Sequence, residues 1–335
     1  MKALVLNEVG SIRGLKYQDV PDPVPAAGEA VVRLRASALN HRDVFICQGL
    51  YPNVKPPLIL GSDGSGVVES VGSDAEQSWV GREVVINPCF EWGDDPAVQS
   101  NNFRILGLPD PGTNAQKIKV PIANLFKKPL HLSFEQAAAL PLAGLTAYRA
   151  VVTKAKVRSG ETVLVTGIGG GVAQLAMQIA IALGATVFVT SGNDEKIGRA
   201  SQLGAAGGVN YRSNSWAKEL AARSGGGPHV VIDGTGGEGF NKSLETLRIG
   251  GRLVSYGATL GAADKVEIRR IFWKQASVFG TTMGTDAEFF EMLNFFEENR
   301  LAPVIDTVTP LSSGMSAYEA MQESQQFGKL VLSTD

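Results

Sequence analysis

Four glycines, Gly167, Gly169, Gly170 and Gly171, stand between an apolar β-branched run and a helical stripe. The run is Val163-Leu164-Val165, and it reads as a buried parallel strand. The stripe is Val172, Leu175, Ala176, Ile179, Ala180 and Leu183, at helical spacing. Gly184 ends the helix, and Thr186–Thr190 makes a second strand that completes a β-α-β unit. The first turn of such a helix has unpaired N–H groups and the positive end of the dipole, which together bind a diphosphate. Gly167 suits the tight turn, Gly170 the close backbone approach, and Ala173 lets helix and strand pack closely. The spacing departs from a clean G-x-G-x-x-G. The position between strand and helix is what marks a dinucleotide cradle. The alternative is a glycine-rich turn that binds nothing.

The end of the second strand bears on which dinucleotide fits. NAD sites carry Asp or Glu there, against the ribose hydroxyls. Here the residues are Ser191, Gly192 and Asn193, with Lys196 close behind. A carboxylate would repel a 2′-phosphate, whereas Ser191 and Asn193 can donate to it and Lys196 supplies charge. NADP(H) is therefore expected over NAD(H). In the competing arrangement Asp194 holds the ribose and Lys196 pairs on the helix surface.

These residues need elements to hold them. The 335 residues suggest two domains, and the formal net charge of −2 is no footprint for nucleic acid or an anionic membrane. Two cysteines, Cys47 and Cys89, exclude a disulfide scaffold and any site built from several thiolates. The first residues are too short an apolar run for a signal peptide, and no run reaches membrane-span length. A soluble, reducing, cytoplasmic setting is expected.

Residues 1 to about 120 read as β-rich, with strands at Lys2–Leu6, Gly28–Ala36, Val67–Gly72, Gly81–Ile86 and Ala115–Pro121. A short helical turn spans Asn40–Gly49. Pro88–Asn114 looks like a long surface loop. Ser133 opens a helix as a capping box. From Gly160 strands and helices alternate, with strands at Thr162–Thr166, Thr186–Thr190, Val230–Asp233, Arg252–Tyr256 and Ser277–Thr281. That alternation predicts a doubly wound parallel sheet, an α/β Rossmann unit. The last helix is placed at Asp286–Asn299, and the tail Lys329–Leu332 reads as a strand returning to the first domain. The expected division is 1–125 with 285–335 for the β-rich domain and 126–284 for the cofactor domain.

The order of these pieces resembles the medium-chain dehydrogenase/reductases. The matching stretches are Ala38-Leu39-Asn40-His41-Arg42-Asp43, Gly49-Leu50-Tyr51-Pro52, Gly61–Val68, Leu140–Tyr148, the glycine loop and Val231-Ile232-Asp233. The resemblance implies a GroES-like catalytic domain, a Rossmann domain and a homodimer or homotetramer. Where the alcohol-dehydrogenase branch binds catalytic zinc, this sequence has Asn40, Ser62 with Asp63, and Leu142. Asn and Ser are poor zinc ligands and Leu is none. The chain therefore resembles the zinc-free quinone oxidoreductase branch, with no metal expected.

Without a metal to stabilise an alkoxide, alcohol oxidation is disfavoured. Hydride transfer to a quinone or an α,β-unsaturated carbonyl remains feasible, with orientation and hydrogen bonds from the protein. Following the resemblance, Asn40 donates its amide to a substrate oxygen. Tyr51 donates its hydroxyl or stacks on a flat acceptor, and Asp43 holds Arg42 or a cofactor hydroxyl. Asn40 and Asp43 can equally cap the short helix, and Tyr51 can be a packed rim residue. Thr146, Gly167, Gly169, Gly170, Gly171, Val172, Ser191, Asn193, Lys196, Tyr211, Gly257, Thr259, Phe279 and Thr281 are the expected cofactor contacts. Thr146 and Tyr211 also have ordinary packing roles open to them. No residue stands out as a general acid. A zinc-free alcohol or aldehyde reductase, and a cofactor-binding sensor with little turnover, are the competing readings.

Overall fold

The computed structural model describes residues 1–334. Two compact units form, Met1–Ala143 with Gly284–Asp335 and, between them in sequence, Gly144–Met283. The second is thus an insertion into a unit built from both chain ends.

The first unit is β-rich because its strands alternate. Glu29–Ala38 buries Ala30, Val32 and Leu34 on one side while Arg33 and Arg35 face solvent, the period-two sign of a half-buried strand. It pairs antiparallel with Asp63–Val71, with Lys117–Pro121 and with the returning tail strand Lys329–Ser333. The tail register sets Val331 opposite Ala38. Ile305–Pro310 then lies parallel to the tail strand. Ala30, Val32, Leu34, Val68, Val84, Ile86, Ile118 and Val120 make one core.

Ser133 caps the helix Phe134–Ala138, accepting from the Gln136 N–H, while the Gln136 side chain reaches back to the Ser133 N–H. Ala138 and Ala139 pack on Ala36, Ala38 and Val331. That contact places residues 126–143 with the first unit, although the sequence reading put them with the cofactor domain. The stretch 88–114 is also more than a surface loop. Cys89–Phe90 and Arg104–Ile105 pair antiparallel, Trp92 meets Phe103 edge to face, and Leu106 is buried. Alternating Pro, Gly and Asn concealed these few apolar anchors. A further helix, Gly314–Gln322, lies beyond the one expected to be last.

The second unit is a parallel sheet. Its six strands run Gly207–Asn210, Thr186–Ser191, Thr162–Val165, Val230–Asp233, Arg252–Ser255 and Ser277–Gly280. The order reverses at Thr162–Val165, the switch point beside which open α/β sheets bind ligands. The helix Gly171–Ala182 buries Ala173, Leu175, Ala176, Ile179 and Ala180. Gly207–Asn210 escaped the sequence reading because Gly207-Gly208 carries no β signal. Its second glycine is required: a Cβ there would lie 2.8 Å from the Val189 carbonyl. Ser277–Gly280 ends the sheet, and Phe272 and Trp273 beside it are exposed. No helix among the described residues is long and apolar enough to cross a membrane.

Candidate active site

Asn40 ends the extended stretch after Glu29–Ala38 and precedes the helix His41–Cys47. Asp43 turns back and accepts the Asn40 N–H at 2.8 Å, so the capping role falls to Asp43. The Asn40 side chain faces the Asp43 N–H in the same capping box and also reaches beyond the helix. Its Nδ2 donates to Asp63 Oδ2 at 2.9 Å, and its Oδ1 accepts from Lys329 Nζ at 2.7 Å. Lys329 also donates to Asp63 Oδ2 at 2.9 Å, and the Leu142 N–H donates to Asp63 Oδ1 at 2.8 Å. Asp63 is fully buried and the Lys329 side chain is 4% exposed. A buried ion pair thus holds the asparagine amide in one orientation.

Lys329 was absent from the sequence-based candidates. It opens the tail strand, 289 positions from Asn40, and only the pairing of that strand with Glu29–Ala38 brings the two together.

Arg42 does not go to Asp43. Its guanidinium donates to Ser62 Oγ at 2.6 Å and to the Leu106 carbonyl at 2.9 Å, and lies 5.6 Å from the Tyr51 ring centre. Tyr51 is half-buried on the core around Leu4, Ile46 and Tyr318. Arg42 therefore joins Tyr51 to the Ser62 side of the cluster, a link that spacing could not reveal.

Asp43 keeps one oxygen, Oδ1, without a partner in a fully buried position. Burial pushes its carboxyl up from 3.8 to about 6, against the opposing pull of Arg42. The folded protein then binds a proton that the unfolded chain releases between those values, so stability falls as pH rises from 3.8 to about 6. At 1.36 kcal/mol per pH unit this amounts to about 3 kcal/mol. Asp43→Asn keeps an acceptor for the Asn40 N–H and removes the charge. Its stability relative to the unaltered protein should rise across pH 4–6 and then level off. Thermal unfolding in matched buffers checks this, and parallel curves would refute it. Burial, with the Lys329 charge second, holds the neighbouring His41 imidazole below its usual range. Burial pushes the Cys47 thiol up to about 12, which leaves it unreactive.

In the second unit the strand C-termini share one edge of the sheet. Gly167 has φ +66°, and its N–H donates to Thr190 Oγ1 at 3.2 Å. A Cβ there would meet Thr235 at 2.8 Å, so the turn itself demands glycine. Gly170 caps the helix Gly171–Ala182, and the nearest atom to a Cβ on it lies 3.8 Å away. Protein packing does not require glycine at 170. A phosphate laid against the helix start would require it, and Gly169, Gly171 and Val172 complete that turn.

At the next strand end Ser191 Oγ accepts from the Asn193 N–H, and Asn193 Oδ1 accepts from the Glu195 N–H as a helix cap. Asp194 accepts from Asn210 Nδ2 at 2.9 Å, which engages the one carboxylate that competed for the ribose. Lys196 lies half-buried on the helix Asp194–Gln202. The Gly192 turn is crowded: a Cβ there would come within 2.7 Å of the Tyr211 hydroxyl and 3.1 Å of Arg212 Nε. Tyr211 is exposed, and Arg212 beside it is a cation the sequence reading passed over.

Asp233 ties the third strand end together. It accepts from Thr166 Oγ1, Thr235 Oγ1 and the Gly236 N–H. Thr259 bonds back to the Gly234 carbonyl, so Gly257 and Thr259 sit on a loop fastened to the Asp233 turn. Thr281 leaves its hydroxyl oxygen buried without a partner, while Phe279 lies in the outer strand. Thr146 is buried, with its hydroxyl 3.9 Å from Met283 Sδ.

Two sequence families match this frame. Residues 171–298 match the zinc-binding dehydrogenases, and residues 26–130 match the alcohol dehydrogenase GroES-like domain. The chain belongs to the medium-chain dehydrogenase/reductase superfamily and is an oxidoreductase. It is 37% identical to the zinc-type alcohol dehydrogenase-like protein YogA of Leptosphaeria maculans, over 95% of this chain and 94% of that one. It is 30% identical to an acryloyl-coenzyme A reductase of Sulfurisphaera tokodaii, over 99% of both. The crystal structure of an NAD-dependent alcohol dehydrogenase superposes with a TM-score of 0.94 at 39% identity, over the full length of both chains.

Proposed function

We propose that this protein reduces α,β-unsaturated carbonyl compounds, or quinones, with NADPH and without zinc. The observation that carries the reading is the Asn40–Asp63–Lys329 cluster. At the positions where the alcohol-dehydrogenase branch places zinc ligands stand an amide, a serine hydroxyl bonded to the Leu106 carbonyl, and a leucine. No group of three or more His, Cys, Asp or Glu among the described residues is placed to hold a metal ion. The donor set does not fit a tetrahedral zinc, and an ammonium already neutralises Asp63.

A bound NADPH supplies hydride. The Gly167–Val172 turn would hold its diphosphate. Ser191, Asn193 and Lys196, with Arg212 added, would hold the 2′-phosphate. Asn40, fixed by Asp63 and Lys329, would orient an acceptor oxygen. An acceptor whose own conjugation carries the charge needs little more. The acryloyl-coenzyme A relative is named for such an acceptor, which favours an activated alkene over a quinone. The names of the alcohol dehydrogenase relatives favour a second reading, an NAD-dependent alcohol or aldehyde reductase.

One panel separates them: an enone, an acryloyl thioester, a benzoquinone and a saturated aldehyde, each with NADPH and with NADH, followed by cofactor absorbance. The enone or thioester with NADPH should exceed the saturated aldehyde in kcat/KM by about 100-fold, the scale of one well-placed transition-state contact. Preference for the aldehyde, or for NADH, would sink the proposal. Cofactor-dependent stabilisation without turnover of any acceptor would leave the sensor reading.

A further inference from the structure

A cavity of about 510 Å³ opens on the first unit, within the size range of small-molecule sites. None of its walls belongs to the cluster around Asp63. It forms where the edge strand Leu125–Lys127 meets Glu83–Ile86, with Lys127 in register with Val84. Val84 is fully buried and gives the cavity an apolar surface. Trp79, at the end of the short helix Asp74–Trp79, packs on the core that contains Val84. Leu130 adds a large apolar side chain that the fold leaves 72% exposed.

Three cations and one carboxylate line this space, in a chain whose net charge is −2. Lys128 and the carboxylate engage each other. The Lys128 Nζ donates to the Leu132 carbonyl at 2.7 Å and lies 3.3 Å from Glu83 Oε2. Arg82 is held differently: its Nε donates to the Ser78 carbonyl at 2.7 Å, and its guanidinium lies 5.0 Å from the Trp79 ring centre. No carboxylate among the described residues pairs with Arg82 or with Lys127. Two uncompensated positive charges therefore stand beside an apolar wall. A guanidinium is flat and weakly hydrated, so a planar ring stacks on it, while a lysine ammonium acts as a point charge toward an anion. No thiol, hydroxyl or imidazole lines the cavity, so what it offers is recognition and not reaction.

We propose that this cavity binds a small organic anion built on a flat ring, the chemistry shared by aromatic carboxylates and purine mononucleotides. The ring lies against the Trp79–Arg82 stack and Leu130. The carboxylate or phosphate takes Lys127 and the remaining N–H groups of Arg82. An aliphatic anion lacks the stacking surface, and a neutral arene lacks the charge. The site stands apart from the reductase reading, because it needs neither the nicotinamide cofactor nor turnover.

The test titrates 1-naphthoate and AMP, by calorimetry, into the unaltered protein and into the double variant Arg82→Glu/Lys127→Glu. Both residues are exposed, so the exchange leaves the core intact. At least one probe should bind the unaltered protein with a Kd below about 1 mM, and should lose at least about 10-fold in the variant. A loss for naphthoate alone assigns an aromatic acid, and a loss for AMP alone assigns a nucleotide; either supports the site. Binding of neither probe, or equal binding of both probes by the two proteins, overturns it. Inorganic phosphate and 1-naphthylmethanol each carry half of the chemistry, and each should bind at least about 10-fold more weakly than the better probe. Equal affinity for either half overturns the proposal.

A second measurement does not depend on the charge-reversed variant. The better probe should quench the tryptophan fluorescence of the unaltered protein saturably, at the same concentrations that calorimetry gives. Trp79→Phe keeps an apolar ring and should lose that quenching. Quenching that survives in full places the ligand elsewhere and overturns the proposal.

Discussion

Asp63→Ala should destabilise the first unit by about 3–5 kcal/mol, the usual cost of leaving one member of a buried ion pair alone. The Lys329 side chain is 4% exposed, and among the described residues its ion pair is with Asp63. The Leu142 N–H loses its acceptor in the same stroke. At about 2–4 °C per kcal/mol for a unit of this size, the melting temperature should drop by about 10 °C. The comparison that isolates the pair is Lys329→Met added to Asp63→Ala. Met fills the Lys stem without a charge, so the double variant should regain most of the loss, with a coupling energy of about 2 kcal/mol or more. Thermal unfolding of the four proteins reads this directly. If the two single losses simply add, the ion pair is not what holds this part of the fold.

The elements that periodicity can encode were the legible ones. Val163-Leu164-Val165, the glycine cluster and the stripe from Val172 to Leu183 lie within one short span, and each confines its own backbone. The structure sets them as strand, turn and helix in that order. Asn40 and Asp43 were legible as a helix start, and Asp43 does close it. What could not be read was that the Asn40 side chain, beside its place in the capping box, also bonds Asp63 and Lys329.

Lys329 lay beyond reading for a different reason. In sequence it is an ordinary lysine at the start of a strand, and nothing local distinguishes it from Lys2, which stays near the surface. Its burial depends on the tail strand pairing beside Glu29–Ala38, a contact between chain ends. Arg212 was hidden because the strand before it, Gly207–Asn210, opens with two glycines and so reads as a turn. Both missed cations are set by long-range topology.

Arg212→Glu should raise the KM for NADPH about 100-fold and leave that for NADH nearly unchanged. A Cβ on Gly192 would come within 2.7 Å of the Tyr211 hydroxyl and 3.1 Å of Arg212 Nε, so both side chains lie close to this turn. Ser191 ends the strand without a carboxylate, and Asp194 is already bonded to Asn210. A 2′-phosphate at this turn would meet Ser191, Asn193 and the guanidinium, with Lys196 on the following helix. A hydrogen bond to a charged group contributes about 1.5–3 kcal/mol, and each 1.4 kcal/mol is tenfold in binding. Reversing the Arg212 charge removes that contribution and adds repulsion, but only toward the phosphorylated ribose. NADH lacks the group and should not register the change. Glutamate is a better probe than alanine, because Arg212 is exposed and water would soften a simple truncation. Steady-state kinetics with both cofactors against one acceptor give the result. Equal losses with NADPH and NADH would mean that Arg212 only shapes the turn. No loss with either would move the phosphate away from this strand end and restore the claim of NAD(H).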